Sequence, residues 1–269
     1  MQSEKILELK ELHISFTQYT RGLQRWTIEN VCGLSFSTYA GEVTALVGAS
    51  GSGKSLLAHA VMGLLPYNAS MDGEIFYRGR LLEKEQIEQL RGSEILLVPQ
   101  GASYLDPLMK SGAQILKGSR DPQKKAKLKE IFQRYHLKED AAALYPFELS
   151  GGMSRRVLIA AATIEEPRLV IADEPTPGLE KKTAKMVMGH FRELAEMGSS
   201  VLVITHDLEL AVETADRILV MHEGRVAEEA FPADFQAEET LRHPYTKALW
   251  RAMPSHWSVL DRGANDEER

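Results

Sequence analysis

The octapeptide GASGSGKS, Gly48 to Ser55, has the residue types and spacing of a loop that holds phosphate. Gly48, Gly51 and Gly53 let the backbone curl, so that the N–H groups of the loop, those of Ser50 and Ser52 among them, point at phosphate oxygens. In such loops the lysine, here Lys54, bridges the β- and γ-phosphates of a nucleotide, and the hydroxyl of Ser55 reaches Mg²⁺. A glycine-rich turn with a coincidental lysine is the alternative. An apolar strand before the loop and the helical pattern SLLAHAVMGLL after it argue against that.

The run RLVIADEP ends in two adjacent acids. Where a strand ends the chain turns, so both can reach one site. Asp173 would hold Mg²⁺, directly or through water, and Glu174 would polarise a water that attacks a γ-phosphate. Two acids ending a strand can also be merely solvated; a phosphate loop further up the same sheet weakens that reading. His206, in VLVITHD, could touch a γ-phosphate, and Gln100 ends ILLVPQ with the same status. Each alone reads as a loop residue. Each gains weight because the strands of an open α/β sheet gather their C-terminal ends at one ligand site.

A second anion-binding pattern stands at ELSGGMSRR. Ser150 caps a helix, Gly151 and Gly152 leave its first N–H groups bare, and Met153, Val157, Ala160 and Ile164 run down one buried face.

The elements that must position these groups follow from the hydropathy pattern. KILELKELHISF alternates, with Ile6, Leu9 and Leu12 among charges, and RWTIENVCGLSFSTYAGE continues the antiparallel pattern to a turn at Gly41. EVTALVG, EILLVPQ, RLVIADE and SVLVITHD are short continuous apolar runs, as buried parallel strands are, each beside a helical pattern. From Gln100 to Ser150 no such strand occurs. DPQKKAKLKEIFQRYHL predicts a helix capped by Asp121, with Pro122 at its first position and Leu128, Ile131, Phe132 and Tyr135 on one face. Its lysines could form a binding patch or simply a solvated face. RILVMHEGRVAEEA predicts two strands about a His-Glu-Gly turn, and the tail one short amphipathic segment before a polar end.

The chain of 269 residues carries a net charge of −6, which argues against a dedicated nucleic-acid binder. Its one cysteine, Cys32, cannot form an internal disulfide and reads as a small buried filler in a strand. No apolar run is long enough to span a bilayer, and MQSEKILELK lacks a signal-peptide core, so any membrane role is expected to come through a partner.

Together the motifs resemble the nucleotide-binding subunit of an ATP-binding-cassette (ABC) transporter. They stand in family order: Walker A GASGSGKS, Q-loop Gln100, signature LSGGM, Walker B LVIADE and switch histidine His206, and the resemblance runs from about Leu7 to Pro254. It implies an α/β fold: a P-loop NTPase (RecA-like) core with an antiparallel β subdomain and an inserted α-helical subdomain. The corresponding divisions are residues 1–100, 101–162 for the helical subdomain with the signature, 163–230, and 231–269 for the C-terminal tail.

The same resemblance implies an ATPase with ATP and Mg²⁺ as ligands. Lys54, Ser55, Gln100, Asp173, Glu174 and His206 of one subunit would meet Ser150, Gly151 and Gly152 of another across two ATP molecules. Gln100 would also reach the metal. Partners would be a second ATPase subunit, as a heterodimer or homodimer, two membrane permeases and, indirectly, a solute-binding protein. The place would be the cytoplasmic face of the membrane. An adenine base would stack on an aromatic residue upstream of the phosphate loop; Phe16 is best placed, Tyr19 and Trp26 are rivals, and Phe16 as plain core is the alternative.

YPFELSGGM, IADEPT, PQGASYLDP and HPYTKAL resemble the peptide/nickel importer branch. The early stop and the missing cysteine cluster make the chain look more like the short nickel- or metallophore-type subunits. DEPTPGLE departs from the usual pattern: Pro177 and Gly178 replace the common pair, and Glu180 stands where an aspartate is expected. SRR likewise replaces the usual RQR after the signature. Two alternatives share the motifs. One is an ATPase of chromosome maintenance or DNA repair, which would place long coiled coils between Walker A and Walker B; the other is a regulatory subunit that binds ATP and turns it over slowly.

Overall fold

The alternating N-terminal segment forms two long strands, β1 (Lys5–Tyr19) and β2 (Arg25–Tyr39), paired antiparallel. The structure, a computed structural model, describes residues 3–19, 25–101 and 104–254; the Tyr19 side chain and the polar end of the tail lie outside the described residues. Ile6, Leu9 and Leu12 are buried as expected, and Leu7 with them. The odd spacing from Leu9 to Leu12 is absorbed by an irregularity in β1 where Glu11 takes a φ of +45°. Cys32 lies in β2 and is half-buried rather than buried, because it sits at the side of the strand facing Glu29 and Arg225.

The chain then enters the central sheet with β3 (Val43–Val47) and passes through α1 (Lys54–Val61) to β4 (Ala69–Tyr77), β5 (Arg80–Leu81) and α2 (Lys84–Leu90). After β6 (Ile95–Val98) come three helices, α3 (Ser111–Ile115), α4 (Pro122–Arg134) and α5 (Gly151–Thr163), with no strand among the described residues. The Asp121 carboxylate accepts the Gln123 N–H at 2.8 Å and so caps α4; Ile131, Phe132 and Tyr135 are buried. β7 (Leu169–Asp173), α6 (Lys181–Glu196), β8 (Ser200–Thr205), α7 (Leu208–Thr214) and β9 (Arg217–His222) return to the core. β10 (Arg225–Ala230) follows a tight turn in which Glu223 and Gly224 both have positive φ, and α8 (Pro244–Arg251) ends the described chain.

Two sheets result, ordered β2-β1-β4-β5 and β10-β9-β3-β8-β7-β6. In the second, β3, β6, β7, β8 and β9 are parallel. The four apolar runs are continuous because both faces of these strands are covered. Leu46, Leu169, Ile171, Leu202 and Ile204 meet α1 and the antiparallel sheet. Val43, Ala45, Val47, Val170, Val201 and Val203 meet α5, α6 and α7. No helix among the described residues is long and apolar enough to cross a membrane.

Candidate functional site

β3 delivers the chain to the phosphate loop with little room to spare. A Cβ on Gly48 would lie 2.4 Å from the Met221 carbonyl oxygen, and one on Gly53 would lie 2.7 Å from that of Asn30. Gly53 also has φ +99° and Gly51 φ +83°, in the left-handed region that favours glycine. Gly53 is the N-cap of α1 and makes no side-chain cap, so the first N–H groups of the helix stay open to an anion. The Lys54 ammonium donates to the carbonyls of Gly48 (2.7 Å) and Ala49 (2.9 Å), with Ser52 Oγ further off at 3.5 Å. Burial pushes the Lys54 amine below its ordinary value, and the carboxylates of Glu174 and Asp173 oppose that shift.

β7 brings the acids to the same place. Ser55 Oγ donates to Asp173 Oδ1 at 3.0 Å, joining the start of α1 to the end of β7. Burial raises the Asp173 carboxyl above its usual range; the Ser55 hydrogen bond lowers it and the neighbouring Glu174 charge raises it further. Glu174 has φ +47°, a costly conformation for a residue with a side chain, and its N–H is anchored on the Ile204 carbonyl of β8 at 2.9 Å. The turn aims its carboxylate at His206, whose Nδ1 lies 3.0 and 2.9 Å from the two oxygens. His206 is thus the hydrogen-bond partner of Glu174, which strand position alone did not reveal. Asp207 caps α7 by accepting the Leu210 N–H at 2.9 Å and so fixes the loop that carries His206.

A cleft of about 280 Å³ gathers Ser50, Gly51, Gly53, Lys54 and Ser55 with Gln100, Glu174 and a residue the sequence reading missed, Asn30. Asp173 and His206 stand behind it through Ser55 and Glu174. An ammonium with only carbonyl and hydroxyl partners, an open helix start and a hydroxyl–carboxylate pair suit a polyphosphate with a hard, oxygen-seeking cation.

The signature residues are not part of that cleft's lining. Ser150 Oγ accepts the Met153 N–H at 3.3 Å and caps α5. Neither Gly151 nor Gly152 has a positive φ, and a Cβ on either meets nothing within 4 Å, so no contact inside this chain requires glycine there. Val157, Ala160 and Ile164 are buried; Met153 is only half-buried, being so near the open end. Phe16 is half-buried against the core under the antiparallel sheet, opposite Ile28 and Ala69. Trp26 is 64% exposed. Neither lines the phosphate cleft.

The departures at Pro177–Gly178 and at Arg155 are structural, whereas Glu180 is the N-cap of α6 without a side-chain cap and nothing in the structure explains it. Thr176 to Leu179 is a type II turn: the Leu179 N–H donates to the Thr176 carbonyl at 3.1 Å, Pro177 fills its second position and Gly178 its third at φ +75°. Arg155, 9% exposed, donates to the carbonyls of Gln100, Glu174 (3.3 Å) and Pro177 (3.5 Å). No local pattern signalled it: at helical spacing Arg155 lies opposite the face of Met153, Val157, Ala160 and Ile164, and it is buried because α5 is covered nearly all round.

The model of the ABC transporter family matches residues 31–177, over half the chain. The dipeptide transport ATP-binding protein DppD of Bacillus subtilis is 37% identical over 267 residues, covering 93% of this chain and 77% of that protein. The oligopeptide transport ATP-binding protein OppF of Haemophilus influenzae is 35% identical, covering 98% and 82%. Among solved structures, the dimeric post-hydrolysis state of the ATP-binding cassette MJ0796 with ADP and Pi superposes with TM-score 0.71 at 27% identity, over 84% of this chain and 99% of that one. With the phosphate loop, paired acids and signature helix in one fold, the chain belongs to the ABC transporter family as an ATP-binding subunit, an ATPase whose hydrolysis drives transport.

Proposed function

We propose that this subunit powers peptide uptake through a separate membrane permease, from the cytoplasmic face of the membrane. The peptide-transport names of its relatives support that solute class over nickel or a metallophore. Gly48 to Lys54 bind the phosphates of ATP; Ser55, Asp173 and Gln100 hold Mg²⁺, which when bound neutralises charge on the phosphate oxygens. Glu174 accepts the proton of the attacking water, and His206 orients its carboxylate.

What supports this reading is a separation: the cleft around Lys54 is lined without Ser150, Gly151 or Gly152, whose open helix start lies outside it. Each is half of a site, completed by a second ATPase subunit of the same or a different chain. Two permeases and a solute-binding protein complete the assembly. Tyr104, Leu108 and Phe147, at 64%, 87% and 75% exposure around the helical region, offer an apolar surface for the permease. Adenine stacks on an aromatic of the antiparallel sheet, Phe16 being the candidate. Glu180, where an aspartate is expected, favours a second reading, a partner of low turnover, which hydrolysis measured with and without the other subunit would separate.

Glu174→Gln tests the chemistry. ATP binding should persist, turnover should nearly vanish and the closed pair should accumulate. Unchanged hydrolysis would overturn the assignment.

A further inference from the structure

We propose that Tyr245, in the HPYT stretch of the C-terminal segment, is a positioning residue for the phosphate loop; this rests on the nucleotide role given above to Gly48–Ser55. The Ala49 N–H donates to the Tyr245 phenol oxygen at 3.1 Å. That N–H belongs to the same peptide unit as the Gly48 carbonyl, which accepts the Lys54 ammonium at 2.7 Å. Phenol, peptide and ammonium therefore form one chain of hydrogen bonds, and a peptide polarised from both ends holds its orientation better than one held from one. Turning that peptide would move the carbonyl that Lys54 leans on and the Gly48 backbone, which already touches Met221.

The residues around Tyr245 hold the phenol there. The Glu228 carboxylate of β10 accepts the N–H groups of Arg242 (2.8 Å) and His243 (3.0 Å). His243 caps α8 by accepting the Tyr245 N–H at 3.1 Å, and Pro244 stands at the first helical position. The Tyr245 ring stacks on His222 at 3.9 Å between centroids, with planes 16° apart. His222 follows Met221, the residue that packs on Gly48. The segment thus grips the end of β9 and the phosphate loop together.

The test is Tyr245→Phe in the full chain, which keeps the stack and removes only the hydroxyl. Mg–ATP affinity by calorimetry should fall about 2- to 10-fold, the range one neutral hydrogen bond carries. The Tm should stay within about 2 °C and kcat with the partner subunit at saturating ATP should hold, since the chemistry is untouched. A lowered Tm with unchanged affinity would mark the phenol as merely structural and overturn the proposal, as would no change in either. Wild-type chain that fails to bind Mg–ATP would instead refute the loop assignment itself. Should Tyr245→Phe fail to fold, amide exchange at Ala49 in Glu228→Gln, which loosens the segment and leaves the phenol in place, decides. Faster exchange there supports the proposal and unchanged exchange overturns it.

Discussion

Gly152→Ala separates what the signature does for this chain from what it does for another. Gly152 is the second residue of α5, has no positive φ, and a Cβ there meets nothing within 4 Å. Alanine therefore fits without strain and reduces the freedom of the unfolded chain, which stabilises by about 0.4–1 kcal/mol. For a chain of this size that is a rise of roughly 1–4 °C in Tm. Function should move the other way. A methyl at a bare helix start keeps a phosphate from the N–H groups, and a hydrogen bond to a charged group is worth about 1.5–3 kcal/mol. Hydrolysis with the partner subunit should fall roughly 10- to 150-fold, while ATP binding to the isolated chain is unchanged. The assays are thermal denaturation, calorimetric ATP titration and steady-state phosphate release by the assembled pair. A fall in Tm would show that the glycine serves this chain's own packing, and undiminished hydrolysis would show that no phosphate approaches it; either result refutes the reasoning.

Gly48→Ala should do the opposite, losing stability and nucleotide affinity together. The added Cβ would press on the Met221 carbonyl at 2.4 Å, backbone against backbone, at a cost of about 1–3 kcal/mol or more; thermal denaturation reads it. Glu228 gives a pH dependence. Burial pushes its carboxyl up, but the hydrogen bonds from the His243 and Arg242 N–H groups, with the Thr246 hydroxyl close by, hold it below its ordinary 4.5. Its folded value is the lower one, so its contribution is complete above about pH 4.5 and is lost as the pH falls through the folded value. The Tm difference between wild type and Glu228→Gln should therefore shrink from pH 6 to pH 4, and a constant difference would sink this account.

The parallel strands were legible because a strand covered on both faces must be apolar throughout. The runs ending at Val47, Val98, Asp173 and Thr205 satisfy that with few interruptions. The phosphate loop was legible because its geometry demands glycine at particular positions. What stayed hidden depends on remote segments meeting. The approach of Met221 to Gly48 and of Tyr245 to Ala49 joins residues far apart in the chain, and no local pattern records either. His206 was recognisable as a polar strand end; its pairing with Glu174 also needed the positive φ that turns that carboxylate toward β8. The irregularity near Glu11 left a trace, the three-residue step from Leu9 to Leu12, but that step alone does not say which residue takes the positive φ.

Arg155, one departure from the usual signature, ties the signature helix to the loops that line the phosphate cleft. Its guanidinium is buried, and that burial lowers its pKa from the ordinary range. A charge buried in this way is tolerated only when its N–H groups are satisfied. The groups that satisfy it are main-chain carbonyls, of Gln100 at the end of β6, of Glu174 at the end of β7, and of Pro177 in the turn that follows. Main-chain acceptors do not swing aside as side chains do. A displacement of α5 relative to β6 and β7 must therefore break these bonds or carry the three loops with it. The first turn of that same helix bears Gly151 and Gly152, open to a phosphate from outside the chain. Whatever pulls on that open end reaches Gln100 and Glu174 through one side chain and less than two helical turns of backbone. The type II turn sharpens the link, because the Leu179–Thr176 hydrogen bond closes it and the Pro177 ring stiffens it, which restricts the peptide that carries the third carbonyl.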